Sequence, residues 1–331
     1  MRPSSPRILL QYAKTPAFLV TNLTNIRYLT GAEVSAGAVL ITPRQTLLFV
    51  DSRYHEVAIS VTTGCLVRPM DDLAKMLRRV AVCGCEAETV TLAQGDRWRK
   101  EFRSTRFFPK HGVIGHFRRA KDHEERKRFR RAQQITRELL KRVPSALRDR
   151  VTEREIAWKL RAWASELNAD HLAFDPIVAF GPHTSSPHHH PTTHALKKGD
   201  IVQIDVGARF EGYCADQSAV FFTDKKTQEQ EHALAAVQEA KQEAERMVRA
   251  GASTHALDRL ARSILRKHGV EKAFSHSLGH GVGLEIHEGV TLSQKRPDEV
   301  LLASEIVTIE PGVYFPGKFG IRLEDEIIVG E

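Results

Sequence analysis

Two strand–turn–strand patterns in the C-terminal half of the chain carry acidic side chains inside otherwise β-branched runs, and any fold must find a place for them. Asp205 lies in Asp200-Ile-Val-Gln-Ile-Asp-Val-Gly-Ala208, and Asp216 in Tyr213-Cys-Ala-Asp-Gln-Ser-Ala-Val-Phe-Phe222, with Arg209-Phe-Glu-Gly212 as the turn. A hairpin symmetric about Phe210 and Glu211 makes Asp205 and Asp216 direct cross-strand neighbours. The layout recurs where Ile306-Val-Thr-Ile-Glu310 and Ile321-Arg-Leu-Glu-Asp-Glu-Ile-Ile328 flank a Pro/Gly-rich stretch, read as a turn from Pro311 to Gly320. Centred near Gly317, this second hairpin sets Glu310 opposite Glu324. Like charges facing one another destabilise a sheet, so bound cations are the expected remedy. With His280, the set is four carboxylates and one imidazole. That is too much negative charge for an apolar core, but it suits a pair of divalent cations bridged by water.

Carboxylate oxygens with one imidazole nitrogen match Mn²⁺, Co²⁺, Fe²⁺ or Zn²⁺ and exclude a thiolate zinc site. Two such ions can share a hydroxide, acidify it and polarise a carbonyl, which is the logic of dinuclear hydrolases. Histidines extend the set. His276-Ser-Leu-Gly-His280-Gly-Val-Gly-Leu-Glu-Ile-His287 places three imidazoles among glycines, so that His280 reads as a ligand while His276 and His287 orient substrate or move protons. A second group, His183, His188, His189, His190 and His194, sits in a Pro-rich stretch that on its own reads as an exposed loop.

The remaining composition narrows the function. The chain of 331 residues is expected to hold roughly two domains. The apolar stretch Ile8-Leu-Leu10 is too short for a signal sequence, and no run approaches the roughly 20 apolar residues of a membrane span, so a cytoplasmic protein is expected. Four cysteines without CxxC spacing read as reduced thiols. The net charge of +8 raises the question of nucleic acid. Its densest block, Arg118 to Arg131, interleaves acids with bases at helical spacing and lacks aromatic partners, so it reads as a solvated helix face and no nucleic-acid partner is expected.

Residues from about 17 to 115 read as an α/β unit, with strands at Ala17–Val20, Ala38–Ile41, Thr46–Val50 and Val80–Val82 and a link from Pro109 to His116. Helices are expected from about Asp122 to Arg142, ending before Pro144, and from the Thr152/Glu155 capping box to Asn168. Two more cover Lys226 to Ala250 and Ser253 to His268, each followed by glycine. Strands at 173–180 and around the two hairpins complete an α+β second half.

These motifs carry a resemblance. From Phe174 to Glu326 the chain resembles the pita-bread metallopeptidases, and among them the Xaa-Pro peptidases of aminopeptidase P and prolidase type. The matching stretches are Phe174-Asp-Pro-Ile-Val, Pro187-His188, Ile204-Asp-Val-Gly207, Gly212-Tyr-Cys-Ala-Asp216, the segment from His276 to Glu288, Ile309-Glu-Pro-Gly312 and Gly320-Ile-Arg-Leu-Glu-Asp325. Asn25-Ile-Arg-Tyr-Leu-Thr-Gly31 and Leu48-Phe-Val-Asp-Ser-Arg-Tyr54 are similar to that group's creatinase-like domain. The resemblance implies a creatinase-like α/β domain at 1–117 and a pita-bread catalytic domain at 118–331. It also implies two divalent ions, Mn²⁺ or alternatively Co²⁺, Fe²⁺ or Zn²⁺, a homodimer, and a proline-containing peptide cleaved after its N-terminal residue by a metal-bridging hydroxide.

Position by position, it implies Asp205 as chelating ligand of one metal, Asp216 and Glu324 as bridges, and His280 with Glu310 on the second metal, Glu310 serving also as general base. His188 and His287 would contact the peptide at the scissile bond, His276 would shape the proline-side pocket or relay protons, and Arg322 would support the bridging carboxylates. The chain departs from the pattern at Ser218-Ala219, where Thr-Arg is usual, and at Ser277, where glycine is usual. Alternatives are a catalytically inactive peptide- or protein-binding module of the same fold, a methionine aminopeptidase-like enzyme and a creatinase-like hydrolase.

Overall fold

The computed structural model describes residues 5–330, so the first four residues of the N-terminal stretch lie outside it. The chain divides into two compact units, 1–118 and 119–331. In the first, helix α1 (Pro6–Ala13) precedes β1 (Phe18–Val20), α2 (Leu23–Thr30), β2 (Ala38–Ile41), β3 (Thr46–Val50), α3 (Ser52–Val61), β4 (Leu66–Pro69), α4 (Asp72–Leu77), β5 (Val82–Glu86), α5 (Leu92–Glu101), β6 (Arg106–Lys110) and α6 (Val113–Arg119). Six strands form one mixed sheet in the order β4-β3-β2-β1-β5-β6. Leu19, Leu40, Phe49 and Cys83 bury one core here with Leu77 and Trp98 from the helices. The fourth strand expected at Val80–Val82 starts at Val82 instead, because Cys83 and Cys85, small apolar side chains that the pattern did not count, are the buried ones. The stretch read as a link, Pro109 to His116, holds the end of β6 and much of α6.

The second unit begins with α7 (His123–Ala146) and α8 (Glu153–Glu166), each opened by a capping box, Asp122 with Glu125 and Thr152 with Glu155. Helix α7 runs through Pro144 rather than stopping before it. Val143 and Ala146 are buried on its inner face, and this packing carries the last turn past the proline. The basic block is only partly a solvated face. Lys121 pairs with Glu288 at 2.9 Å with both side chains buried, Glu125 accepts from the Tyr213 hydroxyl at 2.7 Å, and Phe129 is fully buried.

The strands that matter for function follow: β7 (His171–Leu172), β8 (Ile177–Phe180), β9 (Ile201–Val206), β10 (Ala208–Phe210), β11 (Tyr213–Cys214) and β12 (Gln217–Phe222), then α9 (Gln228–Met247) and α10 (Thr254–Lys267). The last six are β13 (Gly279–His280), β14 (Thr291–Leu292), β15 (Ile306–Ile309), β16 (Gly312–Phe315), β17 (Phe319–Arg322) and β18 (Asp325–Ile328). Two cores hold them. Val202, Ile204 and Val206 of β9 pack with Leu139 of α7 and Leu160 of α8, while Val307, Ile309 and Ile321 pack with Ala240 of α9 and Leu257 of α10. Truncating any of these to alanine costs about 2–5 kcal/mol for the larger side chains. Because side chains alternate along a strand, burying Val202, Ile204 and Val206 turns Gln203 and Asp205 to the other face. By the same rule, Val307 and Ile309 turn Thr308 and Glu310 away from the core, and Ile321 turns Arg322 away.

Among the described residues no helix is long and apolar enough to cross a membrane.

Candidate metal centre

The strand pairing decides how the acidic residues meet. In the first hairpin Asp205 faces Ser218, not Asp216. The turn falls on Glu211 and Gly212, both left-handed (φ 46° and 87°), as a two-residue turn of the kind that follows strand twist requires, so the axis of symmetry lies one residue beyond the expected one. Asp216 therefore precedes β12, where its N–H donates to Glu326 Oε1 at 2.5 Å. In the second hairpin Ile309 faces Asp325 and Gly312 faces Arg322. Glu310 and Glu324 occupy matching positions between these paired stretches, as centring on Gly317 predicts. Most of the segment read as a turn from Pro311 to Gly320 is strand.

His280 enters from β13, held by its neighbours. A Cβ at Gly279 would lie 2.0 Å from the Thr308 carbonyl oxygen and one at Gly281 would lie 2.1 Å from that of Glu288, so only glycine lets the backbones approach this closely. The His280 N–H donates to Thr308 Oγ1 at 3.0 Å, and its ring Nδ1 lies 3.1 Å from the Gly281 carbonyl. A carbonyl only accepts, so Nδ1 carries the proton and Nε2 presents its lone pair. That lone pair faces Asp216 Oδ2 at 3.5 Å and Glu310 Oε1 at 3.6 Å.

Acceptors facing acceptors need a cation or a proton between them. Asp216, His280 and Glu324 offer ligand atoms all within 4.8 Å of one another, and all three are buried. Asp205 Oδ1, Asp216 Oδ1 and Glu324 Oε1 are buried oxygens without a hydrogen-bond partner. Burial, then the charges of Asp205, Glu310 and Glu326, pushes the Asp216 carboxyl well above its ordinary range. Burial, then Asp216 and Glu310, does the same to Glu324. Burial raises Glu310 to about 7 although His280 and Arg322 oppose it. The donor set, the lone-pair direction and the unpartnered oxygens fit divalent cations, which would favour the ionised form of every one of these groups.

One buried cation of the protein's own organises the cluster. Arg322 donates from Nη2 to Asp205 Oδ2 at 2.5 Å, from Nε to Ser218 Oγ at 3.0 Å, and from Nη1 to the Tyr314 oxygen at 2.7 Å and the Pro187 carbonyl at 3.2 Å. Ser218 passes the interaction on, donating to Glu324 Oε2 at 3.0 Å. The hydroxyl retained at Ser218 is thus in use; nothing in the structure gives Ala219 a part in the site.

Comparison with known proteins now adds the family. Residues 127–331 match the model of metallopeptidase family M24, and residues 7–120 match the creatinase/prolidase N-terminal domain. The chain belongs to metallopeptidase family M24. This M24 peptidase is 30% identical to a Xaa-Pro dipeptidase of Pyrococcus horikoshii over 95% of its own length and 90% of the relative's. Its structure is similar to that of an X-Pro aminopeptidase from Thermotoga maritima (TM-score 0.89, 32% identity, 97% and 95% of the two chains). It is also similar to that of a Xaa-Pro dipeptidase from Bacillus anthracis (TM-score 0.93, 30% identity, 98% and 93%). The fold is that of the creatinase-type N-terminal domain joined to the M24 pita-bread domain, and the family implies divalent metal ions.

In the M24 peptidase the carboxylates open into a cavity of about 680 Å³ that also exposes His188, His276, His287 and Arg296. His276 is half-buried, with Nδ1 on the Ser277 carbonyl at 2.8 Å and Nε2 2.9 Å from the Tyr314 hydroxyl. Nδ1 is therefore the donor and Nε2 accepts from tyrosine. Burial, then Arg322, lowers His276 to about 4, and burial, then His280, lowers His287 to about 4, so both rings are neutral at neutral pH. The His287 ring meets His280 edge-on at 4.2 Å. Sequence reading missed Tyr314, which sits in the stretch taken for a turn, and Arg296, which carries no motif. It also missed Glu326, whose alternation with Glu324 along β18 was the available signal.

Proposed function

We propose that this chain hydrolyses the peptide bond between an N-terminal residue and proline, using two divalent cations, Mn²⁺ foremost. Asp205 would chelate one ion, His280 and Glu310 the other, with Asp216 and Glu324 shared between them. The observation that carries the reading is the His280 lone pair aimed at two carboxylates while three buried carboxylate oxygens have no partner. The names of the relatives, Xaa-Pro dipeptidase and X-Pro aminopeptidase, support the choice of substrate. When bound, the ions supply Lewis acidity toward the scissile carbonyl and toward water.

The chain's own residues do the rest. Glu310, which a bound cation would hold ionised, would take a proton from the attacking water and return it to the leaving nitrogen. Its Oε2 lies 3.8 Å from His276 Nδ1. His188 and the neutral His287, both on the cavity wall, hydrogen-bond the peptide at the bond to be cut. His276, fixed through Tyr314 to Arg322, walls the proline side, where a rigid ring without an N–H asks for shape rather than for an acceptor. Arg296 adds a cation toward a substrate carboxylate.

The test is a Mn²⁺-supplemented hydrolysis panel of Ala-Pro, Ala-Pro-Ala and Met-Ala-Ser. Release of alanine from either proline peptide is expected. Cleavage of Met-Ala-Ser alone would replace the reading by a methionine aminopeptidase, activity indifferent to chelator would favour a creatinase-like hydrolase, and no cleavage of any peptide would favour an inactive binding module.

A further inference from the structure

Outside the metal centre, Glu153 is a densely bonded polar group of the second unit. Its side chain is fully buried at the first turn of α8, and it gathers donors from residues 180–192, the stretch that leaves the end of β8. Oε1 accepts from the Phe180 N–H at 3.0 Å and from His183 Nδ1 at 2.8 Å. Oε2 accepts from His189 Nε2 at 2.9 Å, the Thr192 N–H at 2.9 Å and Thr192 Oγ1 at 2.7 Å. The backbone closes the same clamp, since the Glu153 N–H donates to the His194 carbonyl and the Arg154 N–H to that of Thr192.

His188 lies inside the clamped stretch. Its predecessor Pro187 is held by Arg322 through the carbonyl at 3.2 Å, and its successor His189 is held by Glu153. The chain on both sides of His188 is therefore tied to buried charges, through the Pro187 carbonyl on one side and the His189 ring on the other, while the His188 ring itself lies on the cavity wall. His276 and His287 line the same cavity, so the three imidazoles converge.

A metal is the other occupant such a group suggests, since Glu153, His183 and His189 bring their ligand atoms within 4.8 Å. The carboxylate argues against it. Its roughly four lone-pair sites already meet five donors, two of them main-chain N–H groups. Burial alone would raise this carboxyl, yet the hydrogen bonds from His189, Thr192 and His183 bring it down to about 2. It is ionised and satisfied as it stands.

We propose that Glu153 is a positioning residue for peptide hydrolysis: through His189 and Thr192 it fixes the backbone that aims His188 at the scissile bond. This rests on the reading of His188 as a substrate contact. Misplacing such a group by about 1 Å costs on the order of 100-fold in rate.

The experiment is a double-mutant cycle on Ala-Pro hydrolysis by the full metal-loaded chain, with His188→Ala, His189→Ala and both together. His189→Ala is expected to lower kcat roughly 10- to 100-fold with KM nearly unchanged, and to have less than about a 2-fold effect when His188 is already alanine. His189→Gln, whose amide can donate to the carboxylate, should recover most of the loss. Thr192→Val, which removes one hydroxyl donor and leaves the ring in place, is the milder second variant should His189→Ala fold poorly. It should show the same dependence on His188. An equal loss in both backgrounds would make the clamp merely structural and overturn the inference alone. If His188→Ala itself leaves Xaa-Pro cleavage intact, the role given to His188 falls, and the inference with it.

Discussion

Two clusters in the second unit combine histidine with buried carboxylate at similar spacing, and they are opposites in proton and hydrogen-bond inventory. Around His280, acceptors face one another: a ring lone pair, two carboxylates within 3.6 Å of it, and three buried oxygens with no donor. Around Glu153, two ring nitrogens, one hydroxyl and two main-chain N–H groups all donate into one carboxylate. Burial and repulsion push Asp216 and Glu324 up; hydrogen bonds draw Glu153 down to about 2. Residue types and distances alone therefore do not mark a metal site. The number of donors supplied by the protein does: a cluster that lacks them needs a cation, and a cluster that has them is a structural anchor.

The largest effect should separate the two clusters outright. His280→Ala is expected to abolish peptide hydrolysis, by at least about 10³-fold if the ions contribute several kcal/mol to the barrier, and to lower bound metal measured by elemental analysis. Wild-type protein at 100-fold excess of metal over Kd should gain about 2.7 kcal/mol of stability, lost on adding chelator. The joint variant His183→Asn with His189→Gln should keep the full metal content. A fall in stoichiometry there would erase the distinction between the clusters. Next in size is Arg322→Ala, which strips Asp205 and Ser218 of their shared cation. Breaking a buried pair of this kind costs about 3–5 kcal/mol, read in a denaturant titration without metal. Lysine should not rescue it, because one ammonium cannot replace a guanidinium that meets four oxygens.

How much of this contrast could be read beforehand follows from what each signal depends on. The convergence of the carboxylates was legible because they interrupt β-branched runs, and Glu310 and Glu324 fall where centring on Gly317 puts them. The register of the first hairpin was not legible, since it depends on Glu211 and Gly212 both turning left-handed and a non-glycine residue gives little sign of that. Tyr314 was hidden because Pro311, Gly312, Pro316 and Gly317 suggest a loop, whereas β16 and β17 pair across a turn of only three residues. Glu153 was invisible for another reason. At the first turn of a helix an acid is ordinary, and only the three-dimensional return of residues 180–192 gives it five donors. The histidine-rich stretch, read as an exposed loop, has His183 and His189 turned inward for the same cause.

Acid should then act on the anchor in a predictable sense. The Glu153 carboxyl has an ordinary value of 4.5 and lies at about 2 in the folded chain. A depressed acid contributes stability that is complete above about 4.5 and disappears as pH falls through about 2, amounting to about 3 kcal/mol in this buried setting. Glu153→Gln should therefore flatten the fall in stability between pH 4.5 and 2 while lowering the plateau at neutral pH, and urea midpoints across that range would show it. A variant as steep as wild type would mean that the anchor titrates elsewhere.

The finest comparison removes one hydroxyl from each cluster. Ser218 donates to Glu324 at 3.0 Å and Thr192 to Glu153 at 2.7 Å, so the two bonds are chemically alike. Ser218→Ala acts on a carboxylate that a cation is expected to orient, and outer hydrogen bonds of that kind are worth about 10- to 100-fold in metal affinity. Thr192→Val acts on a carboxylate that answers only to donors, so it should cost about 1 kcal/mol of stability and leave the metal titration unmoved. Isothermal titration with Mn²⁺ and a denaturant curve on both variants give four numbers. Opposite patterns in the two proteins are expected; if Thr192→Val weakens metal binding as Ser218→Ala does, the two clusters are one coupled network.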